Sequence, residues 1–326
     1  MRHHPTGWAR RWTTAVCGLA LAGGTATVVA AAPAAAQNIP AATLAADSSG
    51  GSSGGSALYD AAATFEGPVT VGHIIEPESA LPTGLAAHDY VEQEYFASGT
   101  AHAFTATSAP SNGNWSIAPT TSAAYKTRII VRRPANPAHF NGTVVVEWMN
   151  ESEGESAPDW MYLNPELMDE GDAWVGVSAQ ALGVDGGTPN LGSIAGTTAG
   201  QGLVQQEPAR YGTLHHPGDQ YALDIFDQVG LGLRSTSSHV LGSLHPRHIV
   251  ATGESQSAFY LTTFADALEP HGHPFAGIFI HSRGGTAAPL SGTSITSNSG
   301  PSNVRIRTDL GVPVFMFETQ TDLIEP

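Results

Sequence analysis

The stretch that decides the reading of this chain is Gly253-Glu254-Ser255-Gln256-Ser257, set between the strand-like Arg247-His-Ile-Val-Ala-Thr252 and the helix-like Gln256 to Leu268. A serine at the apex of a strand-to-helix turn is held in a strained backbone conformation with its hydroxyl exposed. The strand and helix nearly touch there, so the positions two before and two after the serine must be small, as Gly253 and Ser257 are. The competing reading is a serine that caps an ordinary helix. A buried-type strand directly before it and a long amphipathic helix directly after it favour a nucleophile. In that geometry the helix amino terminus favours developing negative charge, and the Gln256 N–H becomes one oxyanion donor. The loop after Thr143 to Met149 supplies the candidate second donor, in the backbone around Asn150 and Glu151.

Outward from this turn, the runs Thr143 to Met149, Ala173 to Ser178, His248 to Thr252, Ala276 to Ile280 and Val312 to Phe317 are almost continuously apolar. Such runs suit strands covered on both faces. Helical patterns lie between several of them, notably Gly218 to Arg234, where Tyr221, Leu223, Ile225, Phe226, Val229 and Leu233 form a broad apolar face. Earlier β-branched and aromatic runs at Val69 to Ile75, Tyr90 to Tyr95 and Thr127 to Val131 predict an opening antiparallel set. The fold class is therefore α/β, a mostly parallel sheet flanked by helices with antiparallel N-terminal strands. Functional groups belong at the carboxyl ends of the parallel strands.

Thirteen Lys and Arg against 29 Asp and Glu give a net charge of −16 over 326 residues, which argues against nucleic acid or an anionic membrane surface as partner, since no basic stripe is visible to meet it. Arg2, Arg10 and Arg11 precede a weakly apolar run and Ala34-Ala35-Ala36, the pattern of an export signal cleaved after residue 36. The expected organisation is a signal peptide at 1–36, an Ala/Gly/Ser-rich linker at 37–57 and a catalytic-type domain at 58–326. Cleavage removes Cys17, and with it disulfide, zinc-thiolate and cysteine-nucleophile chemistry. It leaves no stable membrane span, because the Ala- and Gly-rich stretch is a poor one. The loop pair His271-Gly-His273 is too common by chance to read as a metal site.

Val144-Val-Val-Glu-Trp-Met-Asn150, Arg210-Tyr-Gly with His216-Pro-Gly-Asp219, Gly253-Glu-Ser-Gln-Ser257 and His281-Ser-Arg-Gly284 together resemble a bacterial family of the α/β-hydrolase superfamily. The resemblance runs from about Thr64 to the last residue. It implies the α/β-hydrolase fold, a catalytic serine, and the chain order serine, acid, histidine. The acid follows a late sheet strand, which makes Asp322 the first choice and Glu318 the second. No histidine follows either acid. His215, His216, His271, His273 and His281 lie nearest upstream, and His281 reads as a loop histidine. The chain also stops one turn after a strand, so a C-terminally incomplete domain is expected. The expected activity is hydrolysis of a small-molecule carboxylic ester through an acyl-enzyme on Ser255, with no cofactor and with Trp148, Trp160, Met161, Tyr162 and Tyr211 as candidate pocket walls. The alternatives are a non-catalytic extracellular binding protein on the same fold and an acyltransferase.

Overall fold

A computed structural model describes residues 59–79, 82, 84–189, 200–235, 238–272, 274–293 and 303–324. The signal and linker segments expected before Tyr59 lie outside the described residues, as do His273 and most of the 291–302 loop. An eight-stranded sheet runs in the order β1-β2-β3-β5-β4-β6-β7-β8. Its strands are β1 (Thr64–Glu66), β2 (Tyr90–Ser108), β3 (Ser116–Pro134), β4 (Thr143–Trp148), β5 (Ala173–Val177), β6 (His248–Glu254), β7 (Gly277–His281) and β8 (Val314–Phe317). The helices are α1 (Pro158–Glu170), α2 (Ala181–Asp185), α3 (Leu203–Gln206), α4 (Pro208–Tyr211), α5 (Ala222–Arg234), α6 (Gln256–Thr263) and α7 (Gln320–Ile324). β1, β2 and β3 pair antiparallel, β3 meets β5 antiparallel, and β5, β4, β6, β7 and β8 are parallel.

The parallel strands form where the sequence is continuously β-branched or aromatic, because both faces are buried and no polar alternation is needed. All five residues of β5 are buried, and Val144, Val146 and Trp148 of β4 have no exposed surface. One expected strand is corrected. Val69 to Ile75 does not enter the sheet; the short β1 at Thr64–Glu66 pairs with β2 instead. The Val69 N–H donates to the Glu94 carbonyl of β2 at 2.8 Å, and side chains meet further backbone groups of the run: Arg210 donates to the Val69 and Val71 carbonyls, Arg128 to the Ile75 carbonyl, and the Tyr211 hydroxyl accepts the Ile75 N–H. A segment with its polar groups met this way gains nothing from a ladder.

Helix α5 also differs from a simple amphipathic helix. Its polar residues Asp224, Asp227 and Gln228 are buried with the apolar ones. Asp224 accepts the His102 backbone N–H at 2.6 Å and Gln228 donates to the Thr100 carbonyl at 2.8 Å, so these side chains stitch the helix onto β2. Glu147, buried on β4, accepts the Asp159 and Trp160 backbone N–H groups, both at 2.9 Å, and so caps α1 from the sheet. Gly171 closes the same helix in a left-handed conformation at φ 80°.

Candidate active site

β6 ends at Glu254 and α6 begins at Gln256, which leaves Ser255 alone at the turn with φ 55° and ψ −116°. A non-glycine residue there stores strain of order 1–3 kcal/mol and persists only where its surroundings enforce it. They do so by close packing. A Cβ placed on Gly253 would lie 2.9 Å from the Ser257 Cβ and 3.1 Å from a Leu261 methyl, so any larger residue at 253 or 257 would push β6 and α6 apart. The Ser255 N–H donates to the His281 carbonyl at 2.8 Å, which ties the turn to the end of β7. The Gln256 N–H stands at the first position of α6, where no helical acceptor exists.

Asn150 and Glu151 come directly against this turn. The Asn150 side-chain amide donates to the Glu254 carbonyl at 2.9 Å, and its oxygen accepts the Ser152 N–H at 2.8 Å. Asn150 and Ser156 exchange both backbone hydrogen bonds, at 2.8 and 2.9 Å, so the Asn150 N–H is already occupied. The Glu151 N–H donates to the Gln256 side-chain oxygen at 3.2 Å, a partner that a single side-chain rotation would remove.

The two candidate acids have different surroundings. The Asp322 carboxylate accepts from Ser282 Oγ at 2.8 Å, Thr319 N at 2.6 Å and Thr319 Oγ1 at 2.7 Å. Burial is the largest single influence and pushes its pKa up, but the hydrogen bonds from Thr319 and Ser282, together with the nearby His281, outweigh it and hold the carboxyl below the usual range. Glu318 accepts the Gly284 N–H at 3.0 Å and thereby anchors the turn after β7.

His281 is not a free loop histidine. It ends β7, its side chain is 12% exposed, and Nδ1 lies 2.8 Å from Asp159 Oδ1. Asp159 accepts from Thr252 Oγ1 as well, so one buried carboxylate joins α1, β6 and β7. The hydrogen bond to Asp159 raises the His281 pKa against the opposing effect of burial. Burial raises Glu254, which precedes the serine and faces the same pair, to about 7. Sequence gave no signal for Asp159, which reads as an ordinary first-turn acid of a helix. A cavity of about 630 Å³ lies beside these groups between α1 and β7–β8, with Tyr162, Leu163, Phe279 and Phe317 as apolar walls and Asp322 at its rim.

Of the other histidines, His216 is buried with Nε2 2.9 Å from the Ala179 carbonyl, His215 reaches the Ala124 carbonyl, and His271 stacks on Tyr59. Among the described residues Ser255 Oγ makes no hydrogen bond to a histidine. Trp148, Trp160 and Tyr211 are core residues, whereas Met161 and Tyr162 are exposed on α1. Among the described residues no group of three or more His, Cys, Asp or Glu side chains is arranged to hold a metal, and no helix is long and apolar enough to cross a membrane.

The model of the family described as "Alpha/beta hydrolase domain" matches residues 65–326. The chain belongs to that family. Solved structures to which the chain is similar include a glucuronoyl esterase from Solibacter usitatus (10% identity, 71% of this chain and 57% of that chain, TM-score 0.33). A glucuronoyl esterase from Teredinibacter turnerae matches at 15% identity over 72% of this chain and 48% of that one, with a TM-score of 0.30. Acetyl xylan esterase 1 from a Thermoanaerobacterium species matches at 8% identity over 69% and 54%, with a TM-score of 0.29. The chain thus spans about half the length of these structures. No curated protein matches it.

Proposed function

We propose that this α/β-hydrolase family member is a serine ester hydrolase, exported as its N-terminal sequence suggests, with Ser255 as the nucleophile. The observation that carries the reading is the backbone of Ser255, a non-glycine residue at φ 55° on a strand-to-helix turn closed by Gly253 and Ser257. Ser255 Oγ attacks the ester carbonyl while its proton passes to a general base. The tetrahedral oxyanion takes the Gln256 N–H and, once the Gln256 side chain turns away, the Glu151 N–H. Collapse expels the alcohol, protonated by the same base, and leaves an acyl-Ser255. Water, deprotonated in turn, releases the carboxylic acid and restores the serine.

The base is a histidine oriented by Asp322, a role that the resemblance to the serine, acid, histidine order supports, while His281 is committed to Asp159. Glu318 is the less suitable acid, since it holds the Gly284 amide. The test is turnover of para-nitrophenyl esters by the full-length protein beside its Ser255→Ala variant. Turnover lost in Ser255→Ala supports the reading. Turnover that survives Ser255→Ala refutes it, and none in the folded full-length protein moves a non-catalytic binding protein ahead.

A further inference from the structure

Glu151 follows β4 in the loop that faces the nucleophile, yet its side chain turns inward and is fully buried. Neither carboxyl oxygen has a hydrogen-bond partner among the described residues. Four residues on, Glu155 gives one oxygen to Arg128 and to Ser178 Oγ, while its Oε2 is buried and unpaired. The two unpaired groups converge. A Cβ built on Gly183 of α2 would collide with Glu151 Oε1 and with Glu155 Oε2, so the two oxygens sit side by side over that glycine. Two ionised carboxylates cannot share such a place without a donor between them.

We propose that Glu151 and Glu155 share one proton in a carboxylic acid–carboxylate clasp, and that this clasp makes Glu151 a positioning residue that fixes the 150–156 loop against the Ser255 turn. The proton is assigned to Glu151, because Glu155 is the one of the two that pairs with the Arg128 guanidinium. Burial, and next Asp219, drive the Glu151 pKa well above its ordinary value, and only Arg128 opposes them. Tyr260 of α6 faces the same group. The clasp closes a loop whose ends are already bonded through Asn150 and Ser156, and it sets the direction of the Glu151 N–H toward Gln256. The catalytic consequence rests on the proposed hydrolase reading; the clasp itself does not.

The test compares wild type with Glu151→Gln, Glu151→Ala and Glu155→Gln. Infrared difference spectra at neutral pH should show a protonated-carboxyl band in wild type that Glu151→Gln removes. Amide hydrogen exchange in the 150–156 loop should quicken in Glu151→Ala and stay near wild type in Glu151→Gln, whose amide donates the same hydrogen bond. Where Ser255 reacts with a fluorophosphonate, Glu151→Ala should slow labelling about tenfold, less than the 10²–10³ that loss of an oxyanion donor costs, and Glu151→Gln should restore most of the rate. Absence of the band, or equal loop exchange in the Ala and Gln variants, overturns the clasp. Intact infrared and exchange signatures with no labelling of any form would refute the hydrolase reading alone.

Discussion

β6–α6 and β8–α7 are two strand–turn–helix units of the same construction, one strand apart in the same parallel sheet, and they differ in what encloses them. Around the first, Ser257, Ala258 and Leu261 have no exposed surface, and Ser257 packs so close to Gly253 that a Cβ there would lie 2.9 Å from the Ser257 Cβ. Around the second, Phe315 is 64% and Leu323 73% exposed, and hydrogen bonds from Ser282 and Thr319 hold Asp322 in place. Packing on both faces fixes Ser255. Asp322, the proposed acid, is held by polar contacts at the sheet edge, where a solvent-exposed hydrogen bond contributes only about 1 kcal/mol.

The largest expected effect separates the two acids. In a chain that turns over ester, Asp322→Asn should lower kcat by up to about 10⁴-fold, the cost of losing the carboxylate that orients a catalytic histidine. Glu318→Gln should leave most of the rate; equal losses would erase the distinction drawn from Ser282 and Gly284. On the stability side, Leu261→Ala removes a fully buried side chain from beneath the turn and should cost about 2–5 kcal/mol in urea unfolding. The matching change in the second unit, Leu323→Ala, should stay within about 0.5 kcal/mol. Similar values for the two leucines would contradict the contrast between the units. A smaller effect of opposite sign is expected at the apex: Ser255→Gly should stabilise the chain by about 1 kcal/mol, because glycine adopts φ 55° without the steric cost.

The last prediction concerns the polar groups behind the turn. Asp159 raises the His281 pKa, so the pair's contribution is complete below the free imidazole value of about 6.5 and is lost as pH rises through the raised folded value. Glu254, raised to about 7 by burial, prefers its neutral form in the fold, so its ionisation costs stability as pH climbs from its free value of about 4.3. Both act in one direction, and Tm should fall from about pH 5 to pH 8. His281→Phe should flatten that slope; a Tm that rises over the same range would show that neither group titrates as its surroundings dictate.

The strands of the parallel sheet were legible because buried β-branched runs such as Thr143 to Met149 admit few other placements, and the turn at Ser255 was legible from its two small neighbours. Val69 to Ile75 misled, since backbone groups of that run are met by Arg128, Arg210 and Tyr211 from far along the chain. For the same reason the Asp159–His281 pair was hidden: 122 residues separate its members, and only β6–β7 pairing and the start of α1 bring them together. The inward turn of Glu151 had no local pattern at all. A glutamate in a polar loop reads as solvated until Gly183 and Glu155 are placed around it.

The central claim is that Ser255 is a nucleophile set at the end of β6. Its most direct test is fluorophosphonate treatment of the full-length protein, followed by intact-mass and peptide-mass analysis beside a Ser255→Ala control. The account predicts a single covalent adduct on the peptide containing Gly253 to Ser257, absent from the control. An adduct on another residue, or none on the folded full-length protein, would contradict it.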